Sequence, residues 1–404
     1  MSIVAKSLSR INASPSQMIT ALAMDLQRQG RDVLTLSAGE PDFDTPEHIK
    51  RAAMDALTRG ETKYSAVPGI PQLREAVCEK LQRENGLTYT AQQTIICPGG
   101  KQVLYNALMA SLDPGDEVII PAPYWVSYPD MVLLANGKPV IIDTDRDNGF
   151  KLSPQTLEAA ITPRTKWLML NNPGNPSGAV LQAKDLQALA DVLHEHPHVW
   201  VITDDIYEHI RYDDMSFATI AQVAPELIDR TLVVNGFSKG YCMTGWRIGY
   251  GAGPKELIDA MIKMQSQSSS CVCSFIQWAA ISALQGEQSF IAEHNAIFQQ
   301  RRDLALSILN QSNGLSCQTP GGSFYLYVDC SGVIGKNTPQ GKLISNDEDF
   351  ATYLLDSEGV AAVHGAAFGM SPYFRISYAL ATDKLEDACN RIQRACGELS
   401  VAKL

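Results

Sequence analysis

Asn235-Gly236-Phe237-Ser238-Lys239-Gly240-Tyr241-Cys242-Met243-Thr244-Gly245-Trp246-Arg247-Ile248-Gly249-Tyr250 is the stretch on which the reading of this chain turns. An apolar strand over 232–234 runs into a turn of small residues that presents Lys239, and Arg247 follows eight positions later. A lysine so placed can hold a carbonyl compound as a Schiff base, provided its amine is unprotonated often enough to react. An arginine beside it can form a planar, charge-assisted fork with a phosphate. A lone Ser-Lys pair would carry little weight. The strand, turn, lysine and arginine in one continuous run carry much more.

Working outward, helical and strand patterns alternate with short turns from about Pro46, which favours a mostly parallel sheet covered by helices. Strands are expected near 94–97, 117–120, 139–142, 166–170, 199–203 and 231–234, all continuously apolar, as strands buried on both faces are. Before them come a helical stretch over 18–28 and a short strand that breaks at Gly39-Glu40-Pro41. After them come a long helical region over 277–309, a second α/β stretch opening at Gly321-Gly322-Ser323-Phe324, and an inserted surface loop over 331–346. The polar motifs mostly follow strand ends: Pro98-Gly99-Gly100-Lys101, Pro123-Tyr124-Trp125, Asn171-Asn172-Pro173-Gly174-Asn175-Pro176-Ser177-Gly178, Asp204-Asp205-Ile206-Tyr207 and the Lys239 turn. In a parallel sheet such ends share one edge, where α/β folds place ligands. The pattern therefore predicts one composite site.

Composition narrows the class. A chain of 404 residues calls for one large core plus a second domain, and 45% hydrophobic with 19% charged residues is the balance of a folded enzyme. A net charge of −11 with no basic block argues against nucleic acid. The nine cysteines include no Cys-x-x-Cys, so they read as reduced thiols. There is no apolar core of a signal peptide near the start and no apolar run long enough for a bilayer, so the expected location is cytoplasmic, away from membranes. His194-Glu195-His196-Pro197-His198 looks like a metal cluster, but the proline breaks the helix that would aim two imidazoles at one ion. A solvated helix end is expected there, and no metal site.

The Lys239 segment, above all Thr244-Gly245-Trp246-Arg247-Ile248-Gly249-Tyr250, resembles the cofactor-lysine region of the fold-type I pyridoxal-phosphate enzymes. Together with Asn175-Pro176-Ser177-Gly178, Asp204-Asp205-Ile206-Tyr207 and Tyr373-Phe374-Arg375-Ile376-Ser377-Tyr378, it is similar to the class I aminotransferases, with the nearest likeness to the bacterial aspartate aminotransferases. The matching motifs run from about residue 34 to residue 378. The resemblance implies an α/β fold with a large cofactor-binding domain over 46–300 and a smaller α/β domain built from 1–45 and 301–404. It implies pyridoxal 5'-phosphate as cofactor and a homodimer with shared active sites.

Residue by residue, the resemblance makes Lys239 the cofactor lysine and proton carrier. Asp204, rather than Asp205, becomes the carboxylate at the pyridine nitrogen; the residues alone leave open that both acids cap the next helix. Tyr207 and Asn175 correspond to the groups that bond the ring oxygen, and Trp125 to the aromatic that stacks on the ring. Ser238, Arg247 and the helix start at Gly100 and Lys101 correspond to phosphate contacts, since a helix N-terminus attracts anions. Tyr64 would reach the same phosphate from the neighbouring subunit. Arg375 would grip the substrate carboxylate, and the backbone at Gly39 would close over it. Ser177 stands where the family usually has Thr and keeps the hydroxyl.

The expected reaction is a two-stage amino transfer from aspartate to 2-oxoglutarate, in which Lys239, once displaced, serves as the base. Lys101 is the candidate cation for a distal carboxylate, against the alternative of a plain helix-start lysine. Met18 is expected near the substrate, and Ser269-Ser270-Cys271-Val272-Cys273 near the side-chain pocket. A less polar pocket there would favour aromatic substrates, prephenate, or glyoxylate as acceptor. A lyase on the same scaffold and a ligand-sensing domain are the remaining readings. The latter suits poorly a chain with only about 30 residues before its first strand.

Overall fold

A computed structural model describes residues 3–401. Its centre is a seven-stranded sheet in the order Thr94–Cys97, Gly249–Ala252, Thr231–Gly236, Trp200–Asp204, Thr165–Asn171, Glu117–Ala122 and Lys138–Asp143. All pairings are parallel except those of Gly249–Ala252, which runs antiparallel to both neighbours. Continuous apolar runs suit these strands because alternate side chains enter different cores. Val118, Ile120, Trp167, Met169 and Ile202 pack into one cluster. Ile119, Leu168, Leu170 and Val201 pack into another, against Leu186, Leu189 and Leu193 of helix Ala183–Glu195.

Six of the seven strands lie where the sequence places them. Gly249–Ala252 was not anticipated, because Gly-Tyr-Gly-Ala carries neither an apolar run nor alternation. Packing explains its glycines: a Cβ on Gly249 would stand 2.5 Å from the Gly100 backbone nitrogen. The strand can thus lie directly against the start of helix Gly100–Ser111 only without side chains there.

A three-stranded antiparallel sheet, Val363–His364, Tyr373–Ser377 and Tyr325–Asp329, forms a second centre. Phe298, Phe324, Phe350, Phe374 and Leu36 share its core, so the N-terminal segment and the C-terminal third are packed together. Leu34–Thr35 adds a short parallel pairing with Val360–Ala361. Two details correct the sequence reading. The region 277–309 is two helices, Ser274–Gln285 and Ser289–Leu309, interrupted at Gly286, where a Cβ would lie 2.5 Å from the Ser282 carbonyl oxygen. The segment 331–346 is not wholly loop: Lys336–Asn337 pairs antiparallel with Ser400–Val401, a two-residue pairing too short to leave a periodic signal.

Candidate active site

The C-terminal ends of the parallel strands open into a cavity of about 650 Å³. Asn171 and Asp204 are paired in register as their strands end there, and the turn carrying Lys239 leaves the next strand. Of the residues singled out in the sequence, Gly39, Gly100, Lys101, Trp125, Asn175, Asp204, Tyr207, Ser238, Lys239, Arg247 and Arg375 all line this cavity. Tyr64 does not; it is 95% exposed.

Lys239 is half-buried, and its Nζ donates to the Gly39 carbonyl oxygen at 2.5 Å. Loss of water pulls its pKa down to about 8; Arg247 and Arg375 push the same way, and Glu40 and Asp204 oppose them. That is the condition a nucleophilic lysine needs. Asp204 is buried, which raises its carboxyl to about 6, while a 2.7 Å hydrogen bond from the Tyr128 hydroxyl to Oδ2 holds it lower than burial alone would. Asp205 is turned elsewhere: Thr203 donates to it at 2.6 Å, and burial pushes it up to about 8. The two acids left open by the sequence are thus separated by their surroundings, and only Asp204 lines the cavity.

Arg375 is 2% exposed, an unusual place for a cation. Its Nη1 donates to Asn175 Oδ1 at 3.0 Å and its Nη2 to the Ser37 carbonyl at 2.6 Å, while its Nε has no partner among the described residues. The guanidinium lies over the Tyr325 ring at 4.4 Å. A buried arginine with an unspent donor, facing a cavity, is suited to a carboxylate. Tyr207 and Tyr325 share a 2.9 Å hydroxyl–hydroxyl bond, and burial keeps both phenols protonated.

At the far wall, Gly99 has φ +91° and precedes helix Gly100–Ser111, whose first backbone N–H groups are free of helical partners. A Cβ on Gly99 would lie 2.5 Å from Arg247 Nη2, so the arginine rests directly on the glycine. Lys101 Nζ sits 4.7 Å from the centroid of the Trp125 ring, with its pKa lowered by burial and by Arg247. A depressed amine, a buried carboxylate, a cradle of helix start, serine and arginine, and a flat indole are the groups that can hold pyridoxal phosphate at its aldehyde, ring nitrogen, phosphate and ring face.

One expectation is corrected. Met18 is 58% exposed and does not line the cavity; on helix Pro15–Arg28 the residues that do are Ser16, Gln17, Thr20, Ala21 and Met24. Residues 17, 20, 21 and 24 share a helical face, and 18 lies about 100° round from 17. Ser269-Ser270-Cys271-Val272-Cys273, like Tyr64, lies outside its own chain's cavity, with Val272 packed into a core and Ser269, Ser270 and Cys273 exposed. Tyr128 and Tyr325 were missed. Tyr128 follows Trp125 by three residues and opens helix Tyr128–Leu134, and a tyrosine opening a helix beside a strand end was its only signal. His194, His196 and His198 turn to three separate partners, Glu226, Glu158 and the Thr162 carbonyl.

Known proteins resemble the whole of this architecture. The chain is 57% identical over 400 residues to an aspartate/prephenate aminotransferase of Cereibacter sphaeroides, covering 99% of this chain and 100% of the relative. It is 55% identical over 397 residues to a probable aspartate/prephenate aminotransferase of Rhizobium leguminosarum bv. phaseoli, covering 98% and 99%. Among solved structures, the aspartate aminotransferase of Rhizobium meliloti matches with a TM-score of 0.96 at 54% identity, over 99% of this chain and 100% of that one. The Thermus thermophilus aspartate aminotransferase solved with maleate matches at 0.91 and 42% identity, over 98% and 100%. The sequence pattern of aminotransferase class I and II spans residues 31–392, and with these likenesses the chain belongs to the class I and II aminotransferase family.

Proposed function

We propose that the protein moves the amino group of aspartate to 2-oxoglutarate, forming oxaloacetate and glutamate in two half-reactions, with pyridoxal 5'-phosphate as cofactor. The observation that carries this reading is the convergence of a depressed lysine amine, a buried carboxylate and a buried arginine on one cavity. Pyridoxal phosphate, when bound, supplies an electron sink for the charge left at the substrate α-carbon.

Each residue has a part. Lys239, with a pKa near 8, is neutral often enough to attach the cofactor and afterwards takes the proton from the substrate α-carbon. Asp204, steadied by Tyr128, presents its carboxylate to the ring nitrogen. Tyr207 and Asn175 would bond the ring oxygen, Trp125 would cover the ring face, and the helix-start N–H groups of Gly100 and Lys101, with Ser238 and Arg247, would hold the phosphate. Arg375 grips the α-carboxylate, with the Gly39 backbone alongside, and Lys101 meets a distal carboxylate.

The division into a large domain over 46–300 and a small one formed by 1–45 and 301–404 belongs to the same proposal, as does a cytoplasmic location. Among the described residues no helix is long and apolar enough to cross a membrane. The homodimer is proposed on Tyr64: its ring is 95% exposed and outside its own chain's cavity, as a residue lent to a partner's phosphate site would be.

A second reading is favoured by the names of the Cereibacter and Rhizobium leguminosarum relatives, which add prephenate. The cavity wall of Trp125, Tyr128 and Tyr325 suits a cyclic dicarboxylate, and this activity is proposed beside the first. The test is borohydride reduction of the purified, pyridoxal-phosphate-loaded protein, peptide mapping, and assays with aspartate and with prephenate as acceptor. A pyridoxyl group on Lys239 with oxaloacetate formation is expected. Modification of other lysines only, or no amino exchange with either acid pair, would contradict the proposal.

A further inference from the structure

A second set of ionisable groups is buried outside the cavity. Lys80, on helix Pro71–Asn85, and Glu208, immediately after Tyr207, are 0% and 3% exposed and form an ion pair. Glu208 also accepts from Asn85 Nδ2 at 3.0 Å and from Asn235 Nδ2 at 2.8 Å. Lys80 donates to Asn85 Oδ1 at 2.9 Å and lies 3.5 Å from Glu84. His209 stands 2.9 Å from Glu84 and 3.7 Å from Glu208. Glu84, Glu208 and His209 have the donors of a metal site, but the Lys80 ammonium already supplies a cation among them. Burial would raise the Glu208 carboxyl; Lys80 and His209 bring it below the ordinary range.

An ion pair taken out of water is an expensive way to stabilise a fold, and apolar replacements of such pairs are often neutral or stabilising. What this one does is join two chain segments that bear the chemistry. Glu208 lies with Tyr207 in the turn that follows strand Trp200–Asp204, four residues after Asp204. Asn235 is the penultimate residue of strand Thr231–Gly236, which leads to Lys239, and its Oδ1 accepts from the Gly236 nitrogen at 2.7 Å, which aims its Nδ2 at Glu208. We infer that Glu208, with Lys80 as counter-ion, is a positioning residue for amino transfer: through Asn235 it fixes the Lys239 turn relative to Asp204 and Tyr207.

This inference rests on the roles given above to Lys239 and Asp204. Three variants separate the tie from the charge: Asn235→Ala removes the tie and keeps the ion pair, Lys80→Met with Glu208→Gln removes the charges and keeps an acceptor for Asn235, and Lys80→Met with Glu208→Leu removes both. Folding is followed by circular dichroism. Two readouts follow: the pH midpoint of the visible band of the loaded protein together with kcat and KM, and the pH midpoint of amine labelling at Lys239 in the cofactor-free protein. The charged or titratable groups around Lys239 are Glu40, Asp204, Tyr207, Arg247 and Arg375, and those around Glu208 are Lys80, Glu84, Asp205, His209, Arg211, Tyr241 and Tyr250.

Asn235→Ala and the leucine double variant are expected to move the Lys239 midpoint by about 0.5 pH unit or more. They are also expected to lower kcat on the order of tenfold with little change in KM. The glutamine double variant should stay near wild type in both. Folded Asn235→Ala protein with an unchanged midpoint and kcat would overturn the inference, as would equal losses in the two double variants. A wild type that never forms the visible band would instead contradict the functional reading, and the labelling midpoint would still decide the tie.

Discussion

The floor and the mouth of the cavity are built differently. Asp204, Tyr207, Asn175 and Arg375 on the floor are each 7% exposed or less, and each is fixed by hydrogen bonds from neighbouring elements. At the mouth, Ser16, Gln17 and Met24 come from helix Pro15–Arg28, and the Lys101 amine lies on an indole ring with no carboxylate partner among the described residues. The floor is constrained because its buried polar groups are paired, apart from the Arg375 Nε that faces the cavity, whereas the mouth can vary without leaving a charge stranded. On the proposed roles, the reaction belongs to the floor and the choice of substrate to the mouth. Changes on the floor should affect every substrate alike; those at the mouth should discriminate.

The largest effect should come from Lys239→Ala, which removes the proposed attachment point and base together. Turnover is expected to fall by on the order of 10⁴-fold with every amino acid tested, measured as oxo-acid release. Residual activity within tenfold of wild type would place the chemistry elsewhere. Arg375→Lys comes next, since a point charge cannot make the planar fork. A loss of about 10–100-fold in kcat/KM, shared by aspartate and phenylalanine, follows from the lost charge-assisted bonds. A loss confined to aspartate would move Arg375 from the floor's role to the mouth's.

Lys101→Met sharpens the contrast from the other side. KM for aspartate should rise roughly tenfold, the worth of one charged hydrogen bond, while phenylalanine kinetics change little. Tyr128→Phe should give the smallest effect. It removes a bond that holds Asp204 down near 6, so the carboxyl rises further and is less ionised at neutral pH. The sign is set: activity should be lost first on the acid side, with the acid limb of the pH–rate profile moving upward. A kcat reduction of about three- to tenfold is expected near neutrality. A downward shift of that limb would show that Tyr128 does not act through Asp204.

The same contrast explains what the sequence disclosed. Floor residues sit at fixed steps from strand ends, so the polar motifs that hold Asn175, Asp204 and Lys239 could be placed at one sheet edge directly, while the choice of Asp204 over Asp205 and the role of Asn175 came from the family resemblance. Tyr128 and Tyr325 could not, because their contacts with Asp204 and Tyr207 span 76 and 118 residues of chain. Met18 was misplaced for a related reason: its neighbourhood on helix Pro15–Arg28 was legible, but which helical face meets the cavity depends on packing against the rest of the fold. Gly249–Ala252 was hidden because its strand is dictated by a close approach of backbones rather than by its own side chains.

The division of labour is tested most directly by single-turnover spectroscopy of the loaded wild type and of Lys101→Met, with aspartate and phenylalanine added separately and no oxo-acid present. Wild type should convert its cofactor from the pyridoxal to the pyridoxamine form faster with aspartate than with phenylalanine. Lys101→Met should lose roughly tenfold with aspartate alone. Equal losses with both amino acids, or no conversion with either in the wild type, would contradict the account.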